Sequence, residues 1–151
     1  MTGGAPFPAI IGPDNAGAGL FCWMDLAATD SASAKAFYGR LFGWTCFDQP
    51  ANGGFFTRLQ LAERDVGSLY QLRRGQVADG VPSHWTPYIR VDSISAIAER
   101  VPALGGKVLV APFDVAGIAR VALILDSVGA QVGLWEPLGR NRAGDSDDPE
   151  G

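Results

Sequence analysis

The spacing of hydrophobic and polar positions changes several times along the chain. From Leu20 to Ala28 they alternate. That predicts a strand with Cys22, Met24 and Leu26 on one face and Phe21, Trp23 and Asp25 on the other. Further on, Ala34, Phe37, Tyr38, Leu41 and Phe42 fall at i, i+3, i+4, i+7 and i+8, the apolar face of a helix. Asp30 stands where an N-cap accepts free N–H groups, and Gly43 can take the left-handed conformation that ends a helix. Short alternating stretches follow at Trp44–Asp48, Phe55–Leu61 and Val66–Leu72. Turns separate them at 49–54 and at Glu63-Arg64-Asp65. The first module is therefore βαβββ.

The same order returns. Displaced by 62 positions, Trp23 meets Trp85, Asp30 meets Asp92, and Gly43 meets Gly105; seven of the 21 positions from 23 to 43 are identical. Trp85–Val91 is the matching strand, with Trp85, Ile89 and Val91 on one face and Thr86, Tyr88 and Arg90 on the other. Pro87 removes one ladder donor there and predicts a free N–H side. Asp92 or Ser93 caps a second helix that buries Ile94, Ile97, Ala98 and Val101. Pro102 predicts a kink or an early end, and Gly105-Gly106 closes the helix. Lys107–Ala111, Ile118–Leu125 and Ala130–Trp135 read as three more strands. The organisation is then a Gly-, Ala- and Pro-rich arm over 1–19, a module over 20–72 and a polar linker over 73–83. A second module covers 84–136 and an acidic, disordered tail covers 137–151.

Composition refines this picture only slightly. The chain has 151 residues, enough for one sizeable core, and is 47% apolar and 19% charged, as a globular protein is. Its net charge of −4 comes mostly from residues 141–151, where Asp145, Asp147, Asp148 and Glu150 stand against Arg142. The body carries no basic stripe, so nucleic acid is not an expected partner. No stretch is long and apolar enough to span a bilayer, and a cytoplasmic location is expected. Two cysteines, Cys22 and Cys46, make no disulfide framework; both sit in predicted strands and read as buried thiols.

Several motifs overlie the repeat. D-x-x-x-A-x-x-F-Y-x-x-x-x-G-W is formed by Asp30, Ala34, Phe37, Tyr38, Gly43 and Trp44. The second half adds His84-Trp85-Thr86-Pro87-Tyr88, Leu104-Gly105-Gly106, and a closing set of Asp126, Gly129, Ala130, Leu134, Trp135 and Pro137. Over residues 20–137 the chain resembles the vicinal oxygen chelate superfamily, which holds glyoxalase I, extradiol dioxygenases, and fosfomycin- and bleomycin-resistance proteins. The resemblance implies an α+β fold in which two tandem βαβββ modules form a curved, cup-shaped mixed sheet with helices on its outer face. It also implies a homodimer.

Metal enzymes of that superfamily place ligands on the inner face of four strands. Carried onto this chain, those positions fall on Trp23, on Leu69 or Tyr70, on Thr86 (or Trp85 one register away), and on Gly133. A catalytic zinc or iron needs about three convergent N, O or S ligands. Indole and glycine offer none, so no metal and no other cofactor is expected. Trp23 reads either as an aromatic wall for a ligand, with Gly133 leaving room opposite, or as a plug in the vacated cavity. Phe21, Phe56, Tyr70 and Trp135 are further lining candidates by alternation. His84 is the only histidine and stands either as a donor or base at the mouth of the cup or in a structural bond to a loop carbonyl. Asp25, Tyr88 and Arg90 face the cup, and an Asp25–Arg90 pair reads equally as an internal salt bridge or as a pair of polar anchors.

Three functions fit these residues. One is a metal-free protein that binds a small aromatic molecule in the cup, as sequestering resistance proteins of the superfamily do. Another is a metal-independent isomerase or cyclase using Asp25, His84 or Tyr88 as acid or base. The third is a ligand-free dimeric scaffold. A buried acid with a raised pKa favours the enzyme, an aromatic slot with no titrating group favours binding, and a self-filled cup favours the scaffold.

Overall fold

A computed structural model describes residues 17–51, 54–115 and 117–138. The arm and tail expected from the sequence fall, over 1–16 and 139–151, outside the described residues. Among the described residues, eight strands and three helices follow in the order β1 (Phe21–Ala28), α1 (Ser31–Phe42), β2 (Thr45–Ala51), β3 (Gly54–Leu61), β4 (Arg64–Gln71), α2 (Arg74–Ala78), β5 (His84–Arg90), α3 (Ile94–Arg100), β6 (Lys107–Val115), β7 (Ala119–Leu125) and β8 (Gln131–Pro137). The strands form one sheet in the order β2-β3-β4-β1-β5-β8-β7-β6, curled into a half-barrel. Each module contributes four adjacent strands, and its first strand pairs in parallel with its last, β1 with β4 and β5 with β8. The modules meet where β1 and β5 pair antiparallel.

The helix signals act as read. Asp30 accepts the N–H of Ser33 at 3.0 Å, and Gly43, at φ 79°, ends α1 with its N–H donated to the Gly39 carbonyl. Ser93 rather than Asp92 caps α3, accepting from Ala96 N. Pro102 ends α3 early: the helix stops at Arg100 and Pro102–Leu104 continues as a 3-10 turn. The two helices differ in how they are covered. Ile94 of α3 is fully buried with Val91, Ala122 and Leu134, and its N–H is capped by the Glu136 carboxylate at 2.8 Å. On α1 only part of the apolar face is buried. Ala34 and Tyr38 pack on Leu26, Ala28, Leu59 and Leu69, whereas Phe37, Leu41 and Phe42 are 57%, 57% and 52% exposed.

Other departures have local causes. The predicted linker contains α2. Strands β2 and β6 run to Ala51 and Val115, past the predicted ends at Asp48 and Ala111, and they take in Pro50 and Pro112. Both are edge strands, where a missing N–H costs no ladder bond. Pro87 lies in the central strand β5, paired with Met24, one residue before the β8 ladder begins at Tyr88. Both cysteines are free thiols, but only Cys22 is buried; Cys46 is exposed.

Candidate functional site

Directly paired strand residues point to the same face, so the registers sort the side chains. Trp23 lies opposite Tyr88, Asp25 opposite Thr86 and Ser68, and Tyr88 opposite Gly133. Gly133 is opposite Leu123, and Trp135 opposite Val121 and Arg90. All of these face away from the helices, toward the inside of the curl. Leu26, Leu69, Trp85 and Ile89 take the other face; Trp85 donates its indole N–H to the Tyr38 hydroxyl at 3.2 Å beneath α1. The fifth-strand position on the inner face is therefore Thr86, and the fourth-strand position is Tyr70.

One irregularity changes the predicted pattern. Phe21 pairs with Ile89 while Trp23 pairs with Tyr88, so β1 carries an extra residue at Cys22. A slip of one residue reverses the faces beyond it. Cys22 therefore joins Tyr88, Ala119 and Val121 inside the curl, against its predicted place beside Met24. Phe21 shares the outer face of Ile89 and is 64% exposed; it does not line the cup.

At the centre of the inner face is an aromatic floor. The Trp23 and Trp135 rings lie 5.5 Å apart, centroid to centroid, at 38°. Tyr88 meets Trp135 edge-on at 5.9 Å. The room expected over Gly133 is taken by the Tyr88 ring, which a Cβ on residue 133 would overlap. Toward the two edges the same face carries Phe47, opposite Arg58, and Phe113, opposite Val121; they are 53% and 41% exposed. Phe56 lies on this face as well, half-buried.

Polar groups are arranged beside the floor. The Trp23 indole N–H donates to Ser68 Oγ at 2.8 Å, and Ser68 donates onward to Asp25 Oδ1 at 2.7 Å. Burial pushes the Asp25 carboxyl up to about 6, against opposing pulls from the Ser68 hydrogen bond and the nearby His84. Burial and the Asp25 charge also raise the Tyr88 hydroxyl well above its ordinary value, and Tyr70 in the same direction. Burial raises the Cys22 thiol to about 12, with Arg90 opposing. The buried Thr86 hydroxyl accepts from Gln131 Nε2 at 2.9 Å. His84 Nδ1 is 2.8 Å from the Pro82 carbonyl oxygen, which can only accept, so Nδ1 carries the proton. Asp25 and Arg90 are not opposite one another: Asp25 is level with Thr86, and Arg90 with Trp135.

Ser68 and Gln131 were not singled out in the sequence, and neither were Phe47 and Phe113. Alternation from Tyr70 puts Ser68 on the same face of its strand, and Gln131 lies in the predicted strand Ala130–Trp135, on the face of Gly133 and Trp135. Outside the curl, a shallow depression of about 530 Å³ is lined by Thr29, Gln71, Leu72, Arg74, Val77 and Ala78.

Comparison with known proteins places this geometry. No protein-family model matches the chain. CFP32 of Mycobacterium tuberculosis, which carries a glyoxylase name, is 37% identical over 116 residues, 76% of this chain and 44% of CFP32. The anthracycline biosynthesis protein DnrV of Streptomyces peucetius is 34% identical over 128 residues, 78% of this chain and 46% of DnrV. The fold matches that of methylmalonyl-CoA epimerase from Mycobacterium tuberculosis with a TM-score of 0.61 over 85% of this chain and 95% of that one, at 16% identity. The chain belongs to the vicinal oxygen chelate superfamily. It spans about half the length of the curated relatives it matches.

The superfamily's metal chemistry does not fit the residues present. Among the described residues no three His, Cys, Asp or Glu side chains are placed to share a cation. At the positions where the resemblance would put metal ligands stand Trp23, whose indole N–H donates to Ser68, Tyr70, Thr86, whose hydroxyl accepts from Gln131, and Gly133, covered by Tyr88. Also among the described residues, no helix is long and apolar enough to cross a membrane.

Proposed function

We propose that the protein binds a small, planar aromatic molecule against the inner face of the curl, in the manner of the sequestering members of its superfamily. The observation that carries this reading is the Trp23–Trp135–Tyr88 floor, flanked on the same face by the exposed Phe47 and Phe113. Flat apolar rings with a few placed polar groups are the usual lining of small-molecule sites. The name of DnrV, which concerns polycyclic aromatic compounds, supports the same ligand class. Native mass spectrometry of freshly purified protein tests it. A co-purified aromatic molecule is expected, and one metal ion retained per chain would overturn the metal-free reading.

One observation favours a second function, a metal-independent isomerase or cyclase. Asp25, at about 6, is poised to exchange a proton near neutral pH. Of the other two candidates, Tyr88 resists ionisation, whereas His84, with its Nδ1–H held by the Pro82 carbonyl, keeps Nε2 available, so Asp25 or His84 would be the acid or base. Deuterium uptake from heavy water into a co-purified carbon acid, abolished by Asp25→Asn, is the expected result for an enzyme.

A homodimer belongs to the same proposal, supported by the uncovered Phe37, Leu41 and Phe42 of α1. So does a cytoplasmic setting, supported by two free thiols, one of them exposed.

A further inference from the structure

The row of side chains that holds Asp25 and Ser68 continues onto β3. Arg58 is paired with Ser68 on one side and with Phe47 on the other, so it lies on the inner face of the curl. Asp65, three residues from Ser68, would take the outer face by plain alternation. It does not, because Leu59 pairs with Gly67 and Gln60 with Asp65, which leaves Val66 as an extra residue in β4. The bulge brings Asp65 onto the inner face beside Gln60 and Arg58. There Asp65 divides its oxygens: Oδ2 accepts from Arg58 Nη2 at 2.6 Å, and Oδ1 accepts from Gln60 Nε2 at 2.8 Å.

This division decides what Arg58 can still bind. A guanidinium and a carboxylate alone can close a fork of two parallel bonds. Here the Gln60 amide occupies the second oxygen, and Arg58 is fixed through one nitrogen. Its other N–H groups meet no acceptor among the described residues, and its side chain is 38% exposed. An arginine held in place with donors to spare matches an acceptor that carries two oxygens in one plane. The link to the aromatic floor is short, since Ser68, the strand partner of Arg58, accepts the Trp23 indole N–H. Neighbouring charges favour a monoanion. Asp65 touches Arg58, and Asp25 stands two strands away on the same face, roughly 10 Å. Both would oppose a dianion such as a phosphate monoester.

We propose that Arg58 anchors the ligand and that the ligand is an aromatic carboxylate, its rings on Trp23 and its carboxylate on the open edge of the Arg58 guanidinium. This names the ligand class of the inner-face site and rests on the aromatic reading given above. Gln60 is a positioning residue that keeps Asp65 from taking the open edge.

The test uses 2-naphthoate and 2-naphthamide, which share their rings and differ in charge. Both are titrated calorimetrically into the protein at about pH 7.5, where the naphthoate is ionised. Naphthoate is expected to bind on the order of tenfold more tightly. Arg58→Gln should bring the two affinities together by weakening naphthoate, with a thermal melt showing that the variant is folded. Gln60→Leu frees Asp65 Oδ1 for a second bond from Arg58, so the preference for naphthoate should shrink although no charge has changed. A purely structural Gln60 would leave the preference in place and overturn its positioning role. Trp23→Ala should weaken both probes alike, which ties the carboxylate site to the floor. Equal binding of the two probes by the unaltered protein would overturn the carboxylate inference and leave the aromatic site standing. A naphthoate preference that survives Arg58→Gln would also overturn it and would place the anion elsewhere, for instance near Arg90, level with Trp135. Failure of both probes to bind would remove the aromatic reading, and the inference with it.

Discussion

The ring of Tyr88 fills the space that a side chain on Gly133 would need. The two residues are paired across β5 and β8, and the ring continues into the contact with Trp135. Gly133→Ala is therefore expected to lower stability by about 1–3 kcal/mol, because the added methyl must displace a buried ring. Chemical denaturation measures this. Combining it with Tyr88→Ala should give a loss smaller than the sum of the two single losses.

Trp23 has two roles that substitution can separate. Trp23→Ala removes the ring and should weaken binding of an aromatic probe by more than ~1 kcal/mol. Trp23→Phe keeps a ring but leaves Ser68 without its donor, so binding should be partly retained. An affinity unchanged in Trp23→Ala would mean that the indole only plugs the sheet.

Asp25 makes stability depend on pH with a definite sign. Its carboxyl titrates at about 6 in the folded protein against a reference of 3.8, so the folded state holds the proton more tightly. Stability contributed by this group is full below about pH 4 and falls as the pH rises through about 6. Asp25→Asn should therefore stabilise the protein at pH 7, by no more than about 3 kcal/mol, and make little difference at pH 4. Thermal melts of both proteins across that range check it; a variant less stable at pH 7 would contradict the raised pKa.

The uncovered side of α1 can be tested without touching the site. Leu41→Glu alters an exposed position, so monomer stability should change by no more than about 0.5 kcal/mol. If α1 forms the dimer contact, sedimentation equilibrium should show a shift toward monomer. A dimer constant equal to that of the unaltered protein would place the contact elsewhere.

Local rules made much of the fold readable. Asp30 and Gly43 mark α1 because capping and the left-handed stop are properties of single residues, and Pro102 ends α3 for an equally local reason. The faces of β1 were readable only from Trp23 onward, past the bulge at Cys22, since nothing in Phe21-Cys22-Trp23 signals an extra residue. Aliphatic and aromatic spacing on α1 did not reveal which of Tyr38 and Phe37 would be covered, because that depends on the sheet beneath. For the site, alternation placed Trp23, Asp25, Thr86 and Tyr88 on one face. It gave no account of Ser68 joining Trp23 to Asp25, a contact between positions 23, 25 and 68 made by strand pairing across the chain. Nor did the small size of Gly133 reveal that a neighbouring ring would use the space.

The β1–β5 seam bears on how the molecule comes apart. Each module places its opening strand at the joint, with β1 held on one side by β4 and on the other by β5. Severing the halves would strip a hydrogen-bonding rim from both at once, and each bare rim would invite another chain. The halves should accordingly melt in a single cooperative transition despite their duplicated plan, and either expressed by itself should aggregate.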